Sequence, residues 1–277
     1  MQIQDIHIAF IGAGNMAGAL IKGLLARGIP AANVWASDPD RQKLEQLAKA
    51  HGIHTAQDNQ DAIAHADTLI LAVKPQVLTE VLQPLKASFS GSSLLTISIA
   101  AGVSLATLES LIGQEQAIIR CMPNTPALVQ AGASALFANS RCKAEDKARA
   151  QLILEAVGST CWLQNEKDMD TVTALSGSGP AYFFLFIEAL RDAAAAHGLP
   201  LELADALAKQ TALGAAKLAL TSEADVTELR RQVTSPGGTT EAALRQLEKD
   251  DFKSVIARAV SQAKSRSESL AQQTTDK

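Results

Sequence analysis

Residues 12–18 read Gly-Ala-Gly-Asn-Met-Ala-Gly, and residues 234–240 read Thr-Ser-Pro-Gly-Gly-Thr-Thr. These two glycine-bearing runs hold the residue types and spacings from which chemistry can be read. The first matches G-x-G-x-x-G/A between an apolar run and a helical stretch. Gly12 permits a tight turn, Gly14 removes a side chain where a pyrophosphate must approach, and Ala17 lets the helix lie close to a sheet. The second run predicts a turn on Pro236, Gly237 and Gly238 with outward-facing backbone N–H groups. Hydroxyls of Ser235, Thr239 and Thr240 flank it, and a helix is expected to begin at Glu241. Such a terminus suits a carboxylate or other small anion, and an ordinary helix cap is the alternative. One end of the chain is thus suited to a dinucleotide and the other to a small acidic substrate.

Further candidates follow from position. Asp38 closes the second apolar run, where a carboxylate accepts from the ribose 2′-hydroxyl of NAD. Against a 2′-phosphate the same charge repels by about 4 kcal/mol at 4 Å and an effective dielectric of 20. Ser37 and Arg41 favour a phosphate instead, so the sequence leaves both cofactors open. Ala72-Val73-Lys74-Pro75 follows the third strong apolar run, which puts Lys74 near the cofactor, with a solvated loop lysine as the alternative. Gly177-Ser178-Gly179 falls one residue short of a nucleophile elbow and lacks a preceding strand. It reads as a hinge and helix cap.

The elements that must position these residues alternate up to about residue 163. Residues 7–13, 34–38, 68–73, 94–98 and 118–122 read as strands, and 15–27 and 41–51 as helices. Strands apolar on both faces belong to a parallel sheet covered by helices, which predicts a doubly wound α/β domain. Beyond about residue 165 no strand pattern recurs. Helices are expected over 181–197, 201–220 and 225–232, with one or two more from 241 to about 270. The boundary is set at 165, giving domains 1–165 and 166–277, with a polar hinge at 164–170. The helix from 181 opens Ala-Tyr-Phe-Phe-Leu-Phe-Ile. A helix apolar on all faces must be buried on all faces, so it is expected to pack against its copy in a second subunit; the centre of a monomeric bundle is the alternative.

Composition narrows the class. The 277 residues carry a net charge of −4, and no basic block argues for nucleic acid or an anionic membrane surface. The apolar run at 94–105 is too short to span a bilayer. The N-terminus lacks a basic n-region, so a cytoplasmic location is expected. Cys121, Cys142 and Cys161 fit no zinc spacing and are expected to be buried thiols, and the five histidines form no ligand pair, so no metal is expected.

Five motifs occur in order: Gly12-Ala13-Gly14-Asn15-Met16, Ala72-Val73-Lys74-Pro75, Met122-Pro123-Asn124-Thr125-Pro126, Ser176-Gly177-Ser178-Gly179-Pro180-Ala181-Tyr182 and Ser235-Pro236-Gly237-Gly238-Thr239-Thr240. Together they resemble the Δ1-pyrroline-5-carboxylate reductase family over nearly the whole chain. The resemblance implies a Rossmann domain, then an all-α dimerisation domain, a homodimer that in relatives assembles into larger rings, and reduction of pyrroline-5-carboxylate to L-proline with NADPH or NADH. Carried over by position, Gly12, Ala13, Gly14, Asn15 and Met16 hold the pyrophosphate, and Ser37, Asp38 and Asn59 meet the adenosine end. Ala72, Val73, Lys74, Pro75, Ala100 and Ala101 line the nicotinamide side. Ser235, Gly237, Gly238 and Thr240 match the substrate pocket. Asp38 and Gln232 depart from many relatives, and Asp38 puts NADPH preference in doubt.

The chemistry implied is undemanding in acid–base terms. A protonated cyclic imine is already electrophilic, which accounts for motifs without a histidine or a lysine–tyrosine pair. Placement is the main task, worth roughly 7–11 kcal/mol for well-oriented reactants. Gly237 and Gly238 N–H with Ser235 are expected to hold the carboxylate, and the Thr240 hydroxyl to bond the ring nitrogen. Lys74 is expected to orient the cofactor, with proton donation as its weaker role. The alternatives are a β-hydroxyacid dehydrogenase or another imine reductase, and a non-catalytic NADP-sensing module. The first needs a lysine early in the long helix after 181, where none occurs until Lys209.

Overall fold

The structure is a computed structural model that describes residues 3–275. Among these residues eight strands form one sheet in the order β3-β2-β1-β4-β5-β6-β7-β8. They are β1 (Ile8–Ile11), β2 (Val34–Ser37), β3 (His54–Ala56), β4 (Thr68–Leu71), β5 (Leu95–Ser98), β6 (Ile118–Met122), β7 (Gly132–Ala138) and β8 (Gly158–Trp162). All neighbouring pairs are parallel except β6 with β7. Every residue of β1, β4 and β5 is buried, as two-sided coverage of a parallel sheet demands.

Eight helices belong with this sheet in sequence: α1 (Asn15–Ala26), α2 (Arg41–His51), α3 (Asn59–Ile63), α4 (Leu78–Leu82), α5 (Lys86–Phe89), α6 (Leu105–Ile112), α7 (Ala144–Leu154) and α8 (Asp168–Val172). The apolar faces of α1–α7 build two clusters with the strands. One gathers Phe10, Leu20, Leu24 and Ile153; the other gathers Leu69, Leu71, Phe89 and Leu108. Local chemistry sets the ends. Asp40 caps α2 by accepting from Gln42 and Lys43 N–H at 3.0 and 3.3 Å, and Gly52 ends it at φ +69°.

The sheet is followed by α9 (Gly179–Ala196), α10 (Leu201–Thr221), α11 (Val226–Gln232), α12 (Thr239–Lys249) and α13 (Phe252–Thr275). The sequence boundary at 165 follows the last strand, which ends at Trp162. Grouping by packing divides the chain after Ser178, into Met1–Ser178 with Ala263–Lys277 and Gly179–Gln262. Within the second unit α9 packs on α10, and the rings of Phe186 and Phe252 lie 6.4 Å apart. In the single chain Phe183, Phe184 and Leu185 are 67%, 65% and 67% exposed. No helix of the described residues is long and apolar enough to cross a membrane.

One expectation needs correcting. The cysteines are not all buried: Cys121 is buried, Cys142 is half-buried and Cys161 is exposed. Cys161 lies on edge strand β8, where residues 159 and 161 point outward. Burial pushes the Cys121 thiol up to about 12 and that of Cys142 to about 11, so both stay protonated and unreactive.

Candidate functional site

The sheet register brings the first set of candidates to one edge. Ser37, Ile11, Leu71 and Ser98 stand side by side at the carboxyl ends of β2, β1, β4 and β5. Asp38, Gly12, Ala72 and Ile99 therefore leave the sheet in one row, where the strand order turns from β1 to β4. Ligands of open α/β sheets bind at such a switch point.

The glycine-rich turn is built for close approach. Gly12 has φ +100°, and a Cβ there would lie 2.6 Å from the Ala72 carbonyl oxygen. Its N–H donates to Ser37 O at 2.8 Å. Gly14 is the residue preceding α1, and no side chain caps that helix. A Cβ on Gly14 would meet nothing within 4 Å. Open space beside uncapped first-turn N–H groups fits a dinucleotide pyrophosphate. Asn15 is exposed and Met16 is half-buried against the core.

At the side expected to meet the adenosine, Ser37 is fully buried and its hydroxyl donates to Asn59 Oδ1 at 2.6 Å. Asp38 is also buried. Its Oδ2 accepts from Ala13 N–H at 2.9 Å and its Oδ1 from Asp40 N–H at 2.9 Å. The expected ribose acceptor is thus already engaged with the glycine-rich turn. At the other side, Lys74 is exposed and precedes a short 3-10 turn over Pro75–Val77. Ala100 is buried and Ala101 exposed. Pro75 and Ala101 border a cavity of about 470 Å³, which Thr173, Ser178 and Arg266 also line. Sequence reasoning missed the last residue, since nothing in its spacing ties it to residues near 75 and 101. The Ser267 hydroxyl, which donates to Asp170 Oδ1 at 2.7 Å, fastens this part of α13.

The second set forms one exposed turn at the start of α12. Gly237 has φ +71°. The N–H groups expected to face outward are not bare. Gly237 N–H donates to Glu241 Oε2 at 2.7 Å, and Gly238 N–H donates to Ser235 O at 3.0 Å. Arg245 Nη2 holds Glu241 Oε1 at 3.0 Å. The hydrogen bond from Gly237, followed by the Arg245 charge, holds the Glu241 carboxyl below its ordinary range. The helix starts at Thr239, two residues earlier than expected. Thr239 and Thr240 therefore lie in its first turn, where N–H groups lack intrahelical partners. The Thr240 side chain is half-buried and Ser235 is exposed. Glu241 was the missed residue here, and a glutamate three residues past a helix cap is the signal that finds it.

Comparison with known proteins decides the family. Residues 166–270 match the family described as pyrroline-5-carboxylate reductase dimerisation. Residues 7–102 match the one described as NADP oxidoreductase, coenzyme F420-dependent. The pyrroline-5-carboxylate reductase of Pseudomonas aeruginosa is 48% identical over 96% of this chain and 97% of its own. The chain belongs to the pyrroline-5-carboxylate reductase family. Solved structures agree. The reductase of Coxiella burnetii superposes with a TM-score of 0.93 at 42% identity, covering 96% of this chain and 98% of that one. The Plasmodium falciparum pyrroline carboxylate reductase, solved with NADP bound, gives 0.86 at 35% identity, covering 98% and 100%. The family thus has the fold read from the strand pattern, a Rossmann-type sheet followed by a helical domain. Among the described residues no group of histidine, cysteine and carboxylate side chains could hold a metal.

Proposed function

We propose that the protein reduces Δ1-pyrroline-5-carboxylate to L-proline, the last step of proline biosynthesis, with NADPH or NADH. The observation that carries the reading is the full-length likeness to reductases of that name, reinforced by a pyrophosphate cradle at Gly12 and Gly14. The first 165 residues hold the dinucleotide and residues 166–277 supply the substrate turn and the subunit contact.

Gly12, Ala13, Gly14, Asn15 and Met16 receive the pyrophosphate. Ser37, Asp38 and Asn59 shape the adenosine end; Ala72, Val73, Lys74, Pro75, Ala100 and Ala101 shape the nicotinamide end. When bound, the reduced nicotinamide supplies the hydride that reduces the imine carbon. The protein's own part is placement. Ser235 and the first-turn N–H groups of α12 hold the substrate carboxylate, in a turn whose shape Gly237 and Gly238 provide. The Thr240 hydroxyl accepts from the iminium N–H and fixes which ring face is presented. Lys74 orients the cofactor.

The protein acts as a homodimer, which can assemble further into a ring. The phenylalanines and leucine exposed on α9 are the residues that subunit pairing would cover. A cytoplasmic location accords with three free thiols. The deciding assay mixes the protein with pyrroline-5-carboxylate and either NADPH or NADH, following loss of reduced cofactor and formation of proline. Turnover with proline as product is expected; a protein that binds the cofactor without oxidising it is the sensing module instead. Sedimentation at micromolar concentration is expected to give a dimer or larger, and a monomer overturns the subunit assignment.

A further inference from the structure

Asp38 stands where a carboxylate ordinarily reads the ribose of a dinucleotide, yet both of its oxygens are engaged inside the protein. Oδ2 takes the N–H of Ala13, the middle residue of the Gly-Ala-Gly turn, at 2.9 Å. Oδ1 takes the N–H of Asp40, also at 2.9 Å. The side chain is 11% exposed. The bond to Ala13 ties the β1–α1 turn to the end of β2, and the bond from Gly12 N–H to Ser37 O runs beside it. Together they set where the peptides facing the pyrophosphate point. A carboxylate is the group that suits both donors, because an amide would turn its NH2 toward one of them.

Charge points the same way. Lys43 Nζ lies 3.9 Å from Asp38 Oδ1 and 3.6 Å from Asp40 Oδ2, so these carboxylates do not stand bare before an incoming phosphate. Arg41 opens α2, is exposed, and donates from Nη2 to the neutral Gln57 Oε1 at 2.8 Å. Among the described residues it has no ion-pair partner within 4.0 Å. A cation free of carboxylates beside the second strand suits a 2′-phosphate.

We infer that Asp38 is a positioning residue that holds the dinucleotide turn for NADH and NADPH alike, and that Arg41 sets the preference at the 2′ position. The inference deepens the cofactor part of the proposed function and rests on it. The test measures the binding of NADH and of NADPH separately, from nicotinamide fluorescence without substrate, in full-length wild type, D38N and R41Q. D38N is expected to weaken both dinucleotides about tenfold or more while leaving their ratio within about threefold. R41Q is expected to shift the ratio against NADPH by about tenfold, the worth of a charge-assisted hydrogen bond. A D38N protein that loses NADH and gains NADPH makes Asp38 the ribose-reading group and overturns the inference, as does one with unchanged affinity for both. An unchanged ratio in R41Q overturns the second half. Should D38N fail to fold, D38E serves: parallel loss of both dinucleotides supports the positioning role, and retained NADH binding refutes it. Binding without turnover on pyrroline-5-carboxylate is a failure of the reductase reading alone, since the affinities stand without it.

Discussion

The molecule carries two glycine turns before helices, and they are held by different means. The turn at Gly12–Gly14 is fixed by the core. Gly12 combines φ +100° with a backbone oxygen 2.6 Å from where a Cβ would sit, and buried Asp38 clamps its neighbour Ala13. The turn at Gly237–Gly238 is fixed at the surface. Gly237 has φ +71°, but a Cβ there would meet nothing within 4 Å. Its restraint is a surface pair, half-buried Glu241 and exposed Arg245. The turn proposed for the dinucleotide is therefore pre-formed by packing, whereas the turn proposed for the substrate is set by a few hydrogen bonds that a ligand carboxylate can rearrange.

The largest effect that sharpens this contrast is expected from Gly12→Ala. Positive φ costs about 1–2 kcal/mol for a residue with a Cβ, and forced overpacking adds about 1–3 kcal/mol. Thermal or urea unfolding is expected to register a loss of several kcal/mol, and binding of both dinucleotides is expected to vanish. Gly12→Ala with wild-type cofactor affinity would remove the cradle from the proposed site. Next is Thr240→Ala. Loss of a hydrogen bond to a charged ring nitrogen is worth about 1.5–3 kcal/mol, or roughly 10- to 150-fold in kcat/KM, with cofactor affinity nearly unchanged. Near wild-type kinetics would remove Thr240 from the reaction.

How much of this was legible in the residues depends on which interactions fix each element. β1, β4 and β5 are buried throughout and β2 and β6 all but one residue each, mostly with apolar side chains, and α2 has a capping aspartate and a closing glycine, so pattern alone finds them. The three-residue β3, the Gly/Ala/Ser-rich β7 and the edge strand β8, where exposure alternates, carry no such run and were not singled out. The dinucleotide edge was legible as residue identities but not as bonds. Asp38 has the same spacing whether it faces a ribose or the Ala13 N–H, and only its partners separate the two. The second turn was legible as a place, and its occupied Gly237 and Gly238 N–H groups were not, because one acceptor depends on how Glu241 folds back and the other is the Ser235 carbonyl brought round by the turn itself.

A smaller effect is expected from Gly237→Ala. With no atom in the way, only the left-handed backbone costs, about 1–2 kcal/mol. Stability should fall by that amount and the KM for the pyrroline should rise, with cofactor affinity unmoved. A loss as large as that of Gly12→Ala would mean that the second turn is also held by packing and would dissolve the contrast.

The smallest effect concerns Glu241. Its folded pKa lies below the ordinary 4.5, chiefly through the Gly237 N–H and then the Arg245 charge. A depressed carboxyl contributes stability that is complete above its unfolded value and is lost as pH falls through the folded one. The bond from Gly237 therefore outlasts the ordinary carboxyl titration as pH falls and is released at lower pH than a free glutamate would protonate. Glu241→Gln keeps an acceptor for Gly237 but removes a negative charge beside the proposed carboxylate site, so the KM for the pyrroline should hold or fall. Glu241→Ala frees the turn and should raise it. Steady-state kinetics on the two variants separate shape from charge: a fall in KM for both would make Glu241 a competitor for the substrate's place, and a rise for both would make its charge part of the grip on Arg245 that keeps the turn in form.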